Sequence, residues 1–443
     1  MACAPAPFPD DLVVVPVSRW PTTLSAESLR VILETPVDQR VRAWARADDG
    51  PPQVSIVVVT LDGLAFSRLC LESLLANTPA IDYEVIVIDN GSTDGTVGYL
   101  NELSRRDGRV RVTCHERNIG FAAAANRGVA LARGDIVILL NNDTIVPEGW
   151  LERVVNHLAD PRVGLLGAVT NRAGNEAEIQ VPYSTYGALH RFARDHVRAH
   201  SGEVFDIRTV TMFCAALRRQ VWEAIGPLDE RFEIALFEDD DYAMRVRQAG
   251  YRVACAEDVF VHHFGQASIG RLGPTGQYGD IYHANRARWE AKWGVAWQPY
   301  ERRDKPAYRE LIERLRRLVR DAVPPGATIA VISKGDVELL KLDGLKAWHF
   351  PQCEDGTYAG HYPADSAECI AQLERLRSKG AEFLVIPATA RWWLEHYSHF
   401  GEHLQTHYRA LGDEHSPAII VALTERRTPD ARTDLARERM TRR

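Results

Sequence analysis

A chain of 443 residues, 45% hydrophobic and 26% charged, has the make-up of a globular protein of two or three domains. A net charge of −7 argues against nucleic acid as a partner, because its binders carry a basic footprint. No apolar run approaches the ~18–20 residues of a membrane span, and the N-terminus lacks the basic start and long apolar stretch of a signal peptide. The seven cysteines are scattered with no C-x-x-C, the usage of reduced thiols in a cytosolic protein rather than of a disulfide framework or zinc site.

Residues 1–52 are rich in proline and read as an extension and linker, with one short helix around Ser25–Leu33. From Val54 the pattern becomes regular. A β-branched run, Val54–Thr60, precedes a helix from about Phe66 to Asn77. Then follow a strand at Glu84–Asp89, a Gly-rich turn and a helix near Thr96–Leu103. A short strand at Val110–Thr113, an Ala-rich helix at Ala122–Ala132 and a strand at Asp135–Leu140 complete the series. Strands alternating with helices in this way predict a parallel sheet covered on both faces, with ligands at the carboxyl ends of the strands.

The residues just after those strands therefore form a set: Thr60; Asp89-Asn90-Gly91-Ser92; Arg117-Asn118; and Asn141-Asn142-Asp143. Turns are polar anyway, so one such residue means little. Four in succession, two carrying acids, point to a ligand site on one rim. A carboxylate fixed at a strand end, as in Asn142-Asp143, can hold Mg²⁺ or Mn²⁺ together with phosphate oxygens. An Asx-turn explains the same residues without a ligand.

Beyond Trp150 the pattern predicts a helix to Leu158, a strand at Gly164–Val169 and irregular chain to about Val204. A strand-like "TVTMFCAALRR" leads to a helix. Then comes "FEDDDYAMRVRQAG", with Glu238, Asp239, Asp240 and Asp241 at a predicted helix N-terminus. Acids there complement the helix dipole, which accounts for them locally. Strand-like "YRVACAEDVFVHHFG" follows. A boundary near Glu301–Pro306 opens a second unit with an amphipathic helix (Leu311, Leu315, Leu318) and strands at Thr328–Ile332, Glu382–Ile386 and Ala418–Leu423. In that unit Asp336 and His361 sit where a ligand could bind, though turn chemistry accounts for both.

"VSIVVVT", "EVIVIDNGSTDGT", "ERNIGFAAAANRG", "ILLNNDTIVPEGW" and "FEDDDYAMRVRQAGYRV" occur in this order. Together they resemble a family 2 glycosyltransferase over roughly residues 54–295. "VHHFGQAS" and Lys292-Trp293-Gly294 fit the bacterial rhamnosyltransferase-like branch. The resemblance implies an α/β, GT-A fold (Rossmann-like, mainly parallel sheet flanked by helices) at residues 53–300, and a smaller C-terminal α/β domain at 301–443. It implies an inverting enzyme that moves a sugar from a nucleotide-diphosphate donor to a glycan or lipid-linked acceptor in bacterial cell-surface polysaccharide synthesis.

By the same resemblance, Thr60, Asp89 and Asn90 bind the nucleoside, and Arg117 and Asn118 belong to the loop over the nucleotide. Asn142 and Asp143 match a D-x-D-like metal motif, with Asp143 the ligand of Mg²⁺ or Mn²⁺. His263 is a second metal or phosphate ligand, His262 being the alternative. Glu238-Asp239 match the "ED" motif with Asp239 as catalytic base, and Asp240 is the alternative base. The sequence departs from the acidic metal motif at Asn141 and Asn142, which leaves Asp143 as its single carboxylate. UDP, dTDP and GDP are all open as donor nucleotides, and family resemblance alone favours dTDP-rhamnose. The expected location is cytoplasmic, at most peripheral at the inner membrane face.

Other enzyme classes fit less well. The chain shows neither G-x-G-x-x-G after its first strand nor a P-loop. The Gly-rich, basic loop of a sugar nucleotidyltransferase is also missing. The remaining alternative is a degenerate nucleotide-sugar or glycan-binding module.

Overall fold

The computed structural model describes residues 6–14, 24–45, 50–78, 81–265, 277–300, 306–333, 335–359, 362–411 and 416–426. His361, residues 266–268 of "HFGQAS" and residues 301–305 of the expected boundary lie outside the described residues. The chain divides into two compact units, Met1–Leu272 with Asp280–Arg303, and Gly273–Gly279 with Asp304–Arg443.

The first unit opens with α1 (Ala26–Glu34) and α2 (Val37–Arg40), then β1 (Val54–Thr60), α3 (Leu64–Asn77), β2 (Tyr83–Asp89), α4 (Thr96–Arg106), β3 (Val110–Cys114), α5 (Phe121–Leu131) and β4 (Ile136–Asn141). It continues with β5 (Thr144–Ile145), α6 (Trp150–Leu158), β6 (Val163–Val169), α7 (Tyr186–Ala199), β7 (Val204–Asp206), β8 (Cys214–Arg218) and α8 (Arg219–Ile225). The last elements are α9 (Glu238–Gln248), β9 (Arg252–Phe260), β10 (His262–His263) and α10 (Gln277–Trp293). The expected α/β class is present. The main sheet runs β3-β2-β1-β4-β8-β6-β9-β7. β1 to β4 pair in parallel, as does β6 with β9, whereas β8 runs antiparallel to both β4 and β6, and β7 to β9. The sheet is thus mainly parallel, as expected, with β7 and β8 running against the other strands.

Two departures from expectation matter. The stretch through Val204 is not irregular throughout, because α7 lies within it, capped by Thr185 and burying Tyr186, Leu189 and Ala193. The proline-rich N-terminal segment packs onto the first unit rather than standing off it. Phe8, Leu12 and Val14 are buried, Phe8 meets Tyr186 edge-on at 5.4 Å, and Asp10 and Leu12 accept backbone hydrogen bonds from the start of α7. This explains α3, buried on almost every side. Its Glu72 is paired with Arg40 from α2 at 2.5 Å and with Arg68 at 3.2 Å, so a charge that would be costly alone is neutralised. The Ala-rich α5 lies close against the sheet. A Cβ on its Gly128 would stand 2.2 Å from Val57, so only glycine fits there.

The second unit contains α11 (Pro306–Ala322), β11 (Thr328–Val331), β12 (Lys346–His349), α12 (Ser366–Ser378), β13 (Phe383–Pro387), α13 (Trp392–His396), α14 (Ser398–His407), β14 (Tyr408–Leu411) and β15 (Ala418–Arg426). Its sheet runs β12-β11-β13-β15-β14, with β11 parallel to both neighbours and β15 antiparallel to both of its own. Leu315, the centre of the amphipathic stripe, is fully buried. Asp336 caps a short 3₁₀ turn by accepting from the Glu338 amide at 3.0 Å, which is turn chemistry.

Candidate active site

The parallel register places Thr60 directly beside Asp89 at the carboxyl ends of β1 and β2. Thr60 Oγ1 donates to Asp89 Oδ1 at 2.9 Å, and Asp89 Oδ2 accepts from the amides of Gly91 (3.2 Å) and Ser92 (2.9 Å). Both residues are fully buried. In this geometry the carboxylate shapes the turn and presents no exposed oxygen. Asn90 extends the arrangement. Its Nδ2 donates to Asn118 Oδ1 at 2.8 Å and its Oδ1 accepts from the Ile119 amide at 3.0 Å. Gly91 has φ of 91°, and a Cβ there would meet Arg117 Cα at 2.9 Å, so the two loops touch backbone to backbone. The Arg117 side chain is exposed, with no partner among the described residues.

Asn141 ends β4, and Asn142 and Asp143 turn into β5. Asn142 Nδ2 donates to Ser67 Oγ at 2.9 Å, tying the turn to the start of α3. Antiparallel pairing of β5 with β10 sets His263 opposite Thr144 and next to Asp143. His263 Nδ1 lies 2.9 Å from the Arg172 carbonyl oxygen, so Nδ1 carries the proton. In that tautomer Nε2 holds a lone pair. That nitrogen is buried, makes no hydrogen bond and stands 3.3 Å from Asp143 Oδ1. Two electron-rich atoms facing each other at that distance form a donor set that a divalent cation would satisfy. Phe213 stacks on the imidazole at 4.8 Å, and Asn171 exchanges two hydrogen bonds with the His263 backbone. Of the two candidate histidines, His262 points the other way. It is fully buried, bonds Tyr183 Oη through Nδ1 at 2.8 Å, and burial holds it neutral.

The four acids begin α9. Before them the chain is strained: Ile234, Leu236 and Phe237 have φ of 66°, 80° and 73°. Buried Asn285 from α10 braces this loop, its Nδ2 lying 2.9 Å from the Ala235, 3.1 Å from the Leu236 and 3.3 Å from the Glu233 carbonyl oxygen. The same loop reaches α5, where the Phe121 amide donates to the Ile234 carbonyl at 2.7 Å.

The acids divide by their partners. Asp241 is fully buried and held by Arg245 (3.0 Å), Trp293 Nε1 (3.1 Å) and Lys292 (2.5 Å), so the Lys-Trp pair near the end of α10 serves as its clamp. Asp240 accepts from Thr209 Oγ1 at 3.2 Å and from the Tyr300 hydroxyl. Glu238 is buried with Oε2 unpartnered, and burial, reinforced by the Asp240 charge, pushes its carboxyl up to about 7. Asp239 is partly exposed and accepts a hydrogen bond from the Asp240 amide at 2.9 Å. Burial, with the charges of Asp240 and Glu238, raises its carboxyl well above the usual range.

Sequence reasoning missed Asn171, Arg172, Thr209, Asn285 and Tyr300. Asn171 and Arg172 lie one residue beyond the end of β6, after Thr170, and were open to the strand-end argument. The others come from distant segments and carry no local signal.

Residues 55–226 match the sequence profile Glycosyl transferase family 2. The chain is similar to the uncharacterised protein y4gI of Sinorhizobium fredii, 31% identical over 231 residues covering 50% of this chain and 25% of that protein. It is also similar to the O-antigen biosynthesis protein RfbC of Myxococcus xanthus, 27% identical over 401 residues covering 86% of this chain and 30% of that protein. The chain thus spans about a quarter to a third of the length of these two relatives. Among solved structures it is similar to the mannosyltransferase PcManGT from Pyrobaculum calidifontis in complex with GDP-Man and Mn²⁺, with a TM-score of 0.39 and 22% identity over 56% of this chain and 67% of that one. The first unit thus carries a family 2 glycosyltransferase domain, matched from β1 to the end of α8, with a further region C-terminal to it.

Proposed function

We propose that residues 53–300 form an inverting transferase domain, which moves a sugar from a nucleotide-diphosphate donor to a hydroxyl of a glycan or lipid-linked acceptor. The observation that carries this reading is the Asp143–His263 pair, with its unbonded Nε2 at 3.3 Å from the carboxylate. One carboxylate and one imidazole suit Mn²⁺ better than Mg²⁺, which prefers oxygen ligands alone. When bound there, the cation would neutralise charge on the departing diphosphate. Asn142 and the Asn90–Asn118 clamp would bound the nucleotide, and exposed Arg117 would supply a second positive charge to the diphosphate.

Asp239 is the acceptor-side base in this reading. Its neighbours Asp240 and Asp241 are engaged by side-chain donors, whereas Asp239 accepts from a backbone amide. A carboxyl raised above its ordinary range is better matched to taking a proton near neutral pH.

The relative named for O-antigen biosynthesis supports a role in surface polysaccharide assembly. Among the described residues no helix is long and apolar enough to cross a membrane, so an acceptor on the inner membrane face would be met peripherally. Residues 1–52 brace the domain, and 301–443 form an accessory module.

Thermal shift of the full chain with UDP, GDP or dTDP, with and without Mn²⁺, tests this reading. A ligand at 100 times its dissociation constant stabilises by ~2.7 kcal/mol. A Mn²⁺-dependent shift with one nucleotide, matched by sugar transfer from that donor, is expected. Nucleotide binding without transfer or donor hydrolysis would favour the degenerate binding module instead.

A further inference from the structure

Away from that rim, α7 meets β9 through a cluster that the proposed transfer does not use. His196 and His200 lie one turn apart on α7 and at its C-terminal cap, with ring centroids 4.5 Å apart. Glu257 of β9 faces them. One ligand atom from each of His196, His200 and Glu257 lies within 4.8 Å of the others. His196 Nε2 is 2.9 Å from the Glu257 carbonyl oxygen and 3.7 Å from Oε1 of the same residue. Glu203, in the turn that leads to β7, brings Oε2 to 2.8 Å from His200 Nδ1. An open groove lined by Tyr183, Phe192, His196 and His200 gives access from solvent.

We propose that His196, His200 and Glu257, with Glu203 as a fourth donor, form a cation site for Zn²⁺ or another borderline divalent ion. Two imidazoles and two carboxylates are a donor set for such ions and not for Mg²⁺. Bonds of ~2.1 Å in a tetrahedral site put ligands ~3.4 Å apart, so small side-chain rotations close the set around an ion. The cost is His196's hydrogen bond to the Glu257 carbonyl, which the metal–nitrogen bond replaces. The function that follows is a clamp. Helix α7, the turn before β7 and strand β9 would be held by one ion, and β9 leads directly to His262 and His263. The site is independent of the proposed donor-binding pair, which offers a single imidazole.

Zn²⁺ binding to the full chain, read by competition with a chromophoric chelator, tests the site. It is measured in an Asp143→Asn background so that the Asp143–His263 pair does not contribute. One Zn²⁺ per chain is expected to remain in that background, with affinity falling about 10-fold or more in His196→Ala and in His200→Ala. Zn²⁺ should also slow hydrogen exchange of β7 in the parent and not in His200→Ala. If His196→Ala disturbs the fold, Glu257→Gln and the half-exposed His200→Gln serve the same purpose. No Zn²⁺ retained in the Asp143→Asn chain, or equal affinity after both histidine substitutions, overturns the proposal.

Discussion

His263 turns one ring nitrogen to the Arg172 carbonyl oxygen at 2.9 Å and the other to Asp143 Oδ1 at 3.3 Å. The first interaction fixes the tautomer and thereby leaves the second nitrogen as a lone-pair donor. A two-residue pairing, β5 with β10, is what brings these groups together across more than a hundred positions of sequence.

Removing either member of that pair should abolish the metal-dependent part of nucleotide binding. With Asp143→Asn or His263→Ala, the Mn²⁺-dependent stabilisation of ~2.7 kcal/mol at 100 times the parent dissociation constant should disappear. Isothermal titration with the nucleotide, with and without Mn²⁺, checks it. Metal-dependent affinity retained in both variants would place the cation elsewhere.

Asp239→Asn should lower kcat by ~10²–10⁴ while nucleotide affinity stays near that of the parent. The pH profile gives a sharper test. A base must be deprotonated to act, and Asp239 is raised by burial, then by Asp240 and Glu238. Activity is therefore lost as pH falls through a value above the ordinary aspartate range. Asp240→Asn removes one of the raising charges, so the acid limb should move to lower pH. An unmoved limb would assign it to another group.

Asn285→Ala should affect turnover through position rather than charge. Asn285 is fully buried and its one amide group faces three carbonyl oxygens of a loop with three non-glycine residues at positive φ. Such residues cost on the order of 1–3 kcal/mol each and persist only where the surroundings hold them. Without the brace the loop relaxes, and a shift of ~1 Å at the start of α9 can cost about 10²-fold in rate. The expected outcome is a lower kcat with unchanged nucleotide affinity and an unchanged acid limb. Asn285→Asp, which places an acceptor against acceptors, should be at least as impaired. A variant that melts earlier but turns over normally would reduce Asn285 to a structural residue.

Much of this was legible in the sequence. β1, β2 and β4 are short runs rich in β-branched residues, β6 is a short apolar one, and buried strands need little else. The polar residues after them lie where the strand-end rule puts them. The reversed direction of β8 was not legible. β8 has the same apolar character as its neighbours, and burial does not encode polarity. Helix α7 is hard to read from the sequence because Tyr186, Leu189 and Ala193 form a thin stripe among histidines and arginines, although Thr185 offers a cap. The adjacent histidines could not be separated from composition. Alternation in β10 does so, sending His262 into the core toward Tyr183 and His263 toward Asp143. The four acids looked alike because their partners, Thr209, Lys292, Trp293 and Tyr300, arrive from elsewhere in the chain.

Glu238 ties the site to stability. Its carboxyl is raised from 4.5 to about 7, first by burial and then by the Asp240 charge. Between those values the folded state holds a proton that the unfolded chain has released. Stability from this group is therefore fully present below about pH 4.5 and is lost as pH rises to about 7. At ~1.4 kcal/mol per unit the loss is on the order of 3 kcal/mol. Glu238→Gln cannot lose that proton, so relative to the parent it should gain stability as pH rises across the window. The chain has two units and need not unfold in one step, so hydrogen exchange of the α9 amides at pH 5 and pH 8 is the suitable readout. The variant should differ little from the parent at the lower pH and be better protected at the higher one. Equal differences at both would show that Glu238 is ionised in the folded protein throughout, and that its unpartnered Oε2 has found a donor.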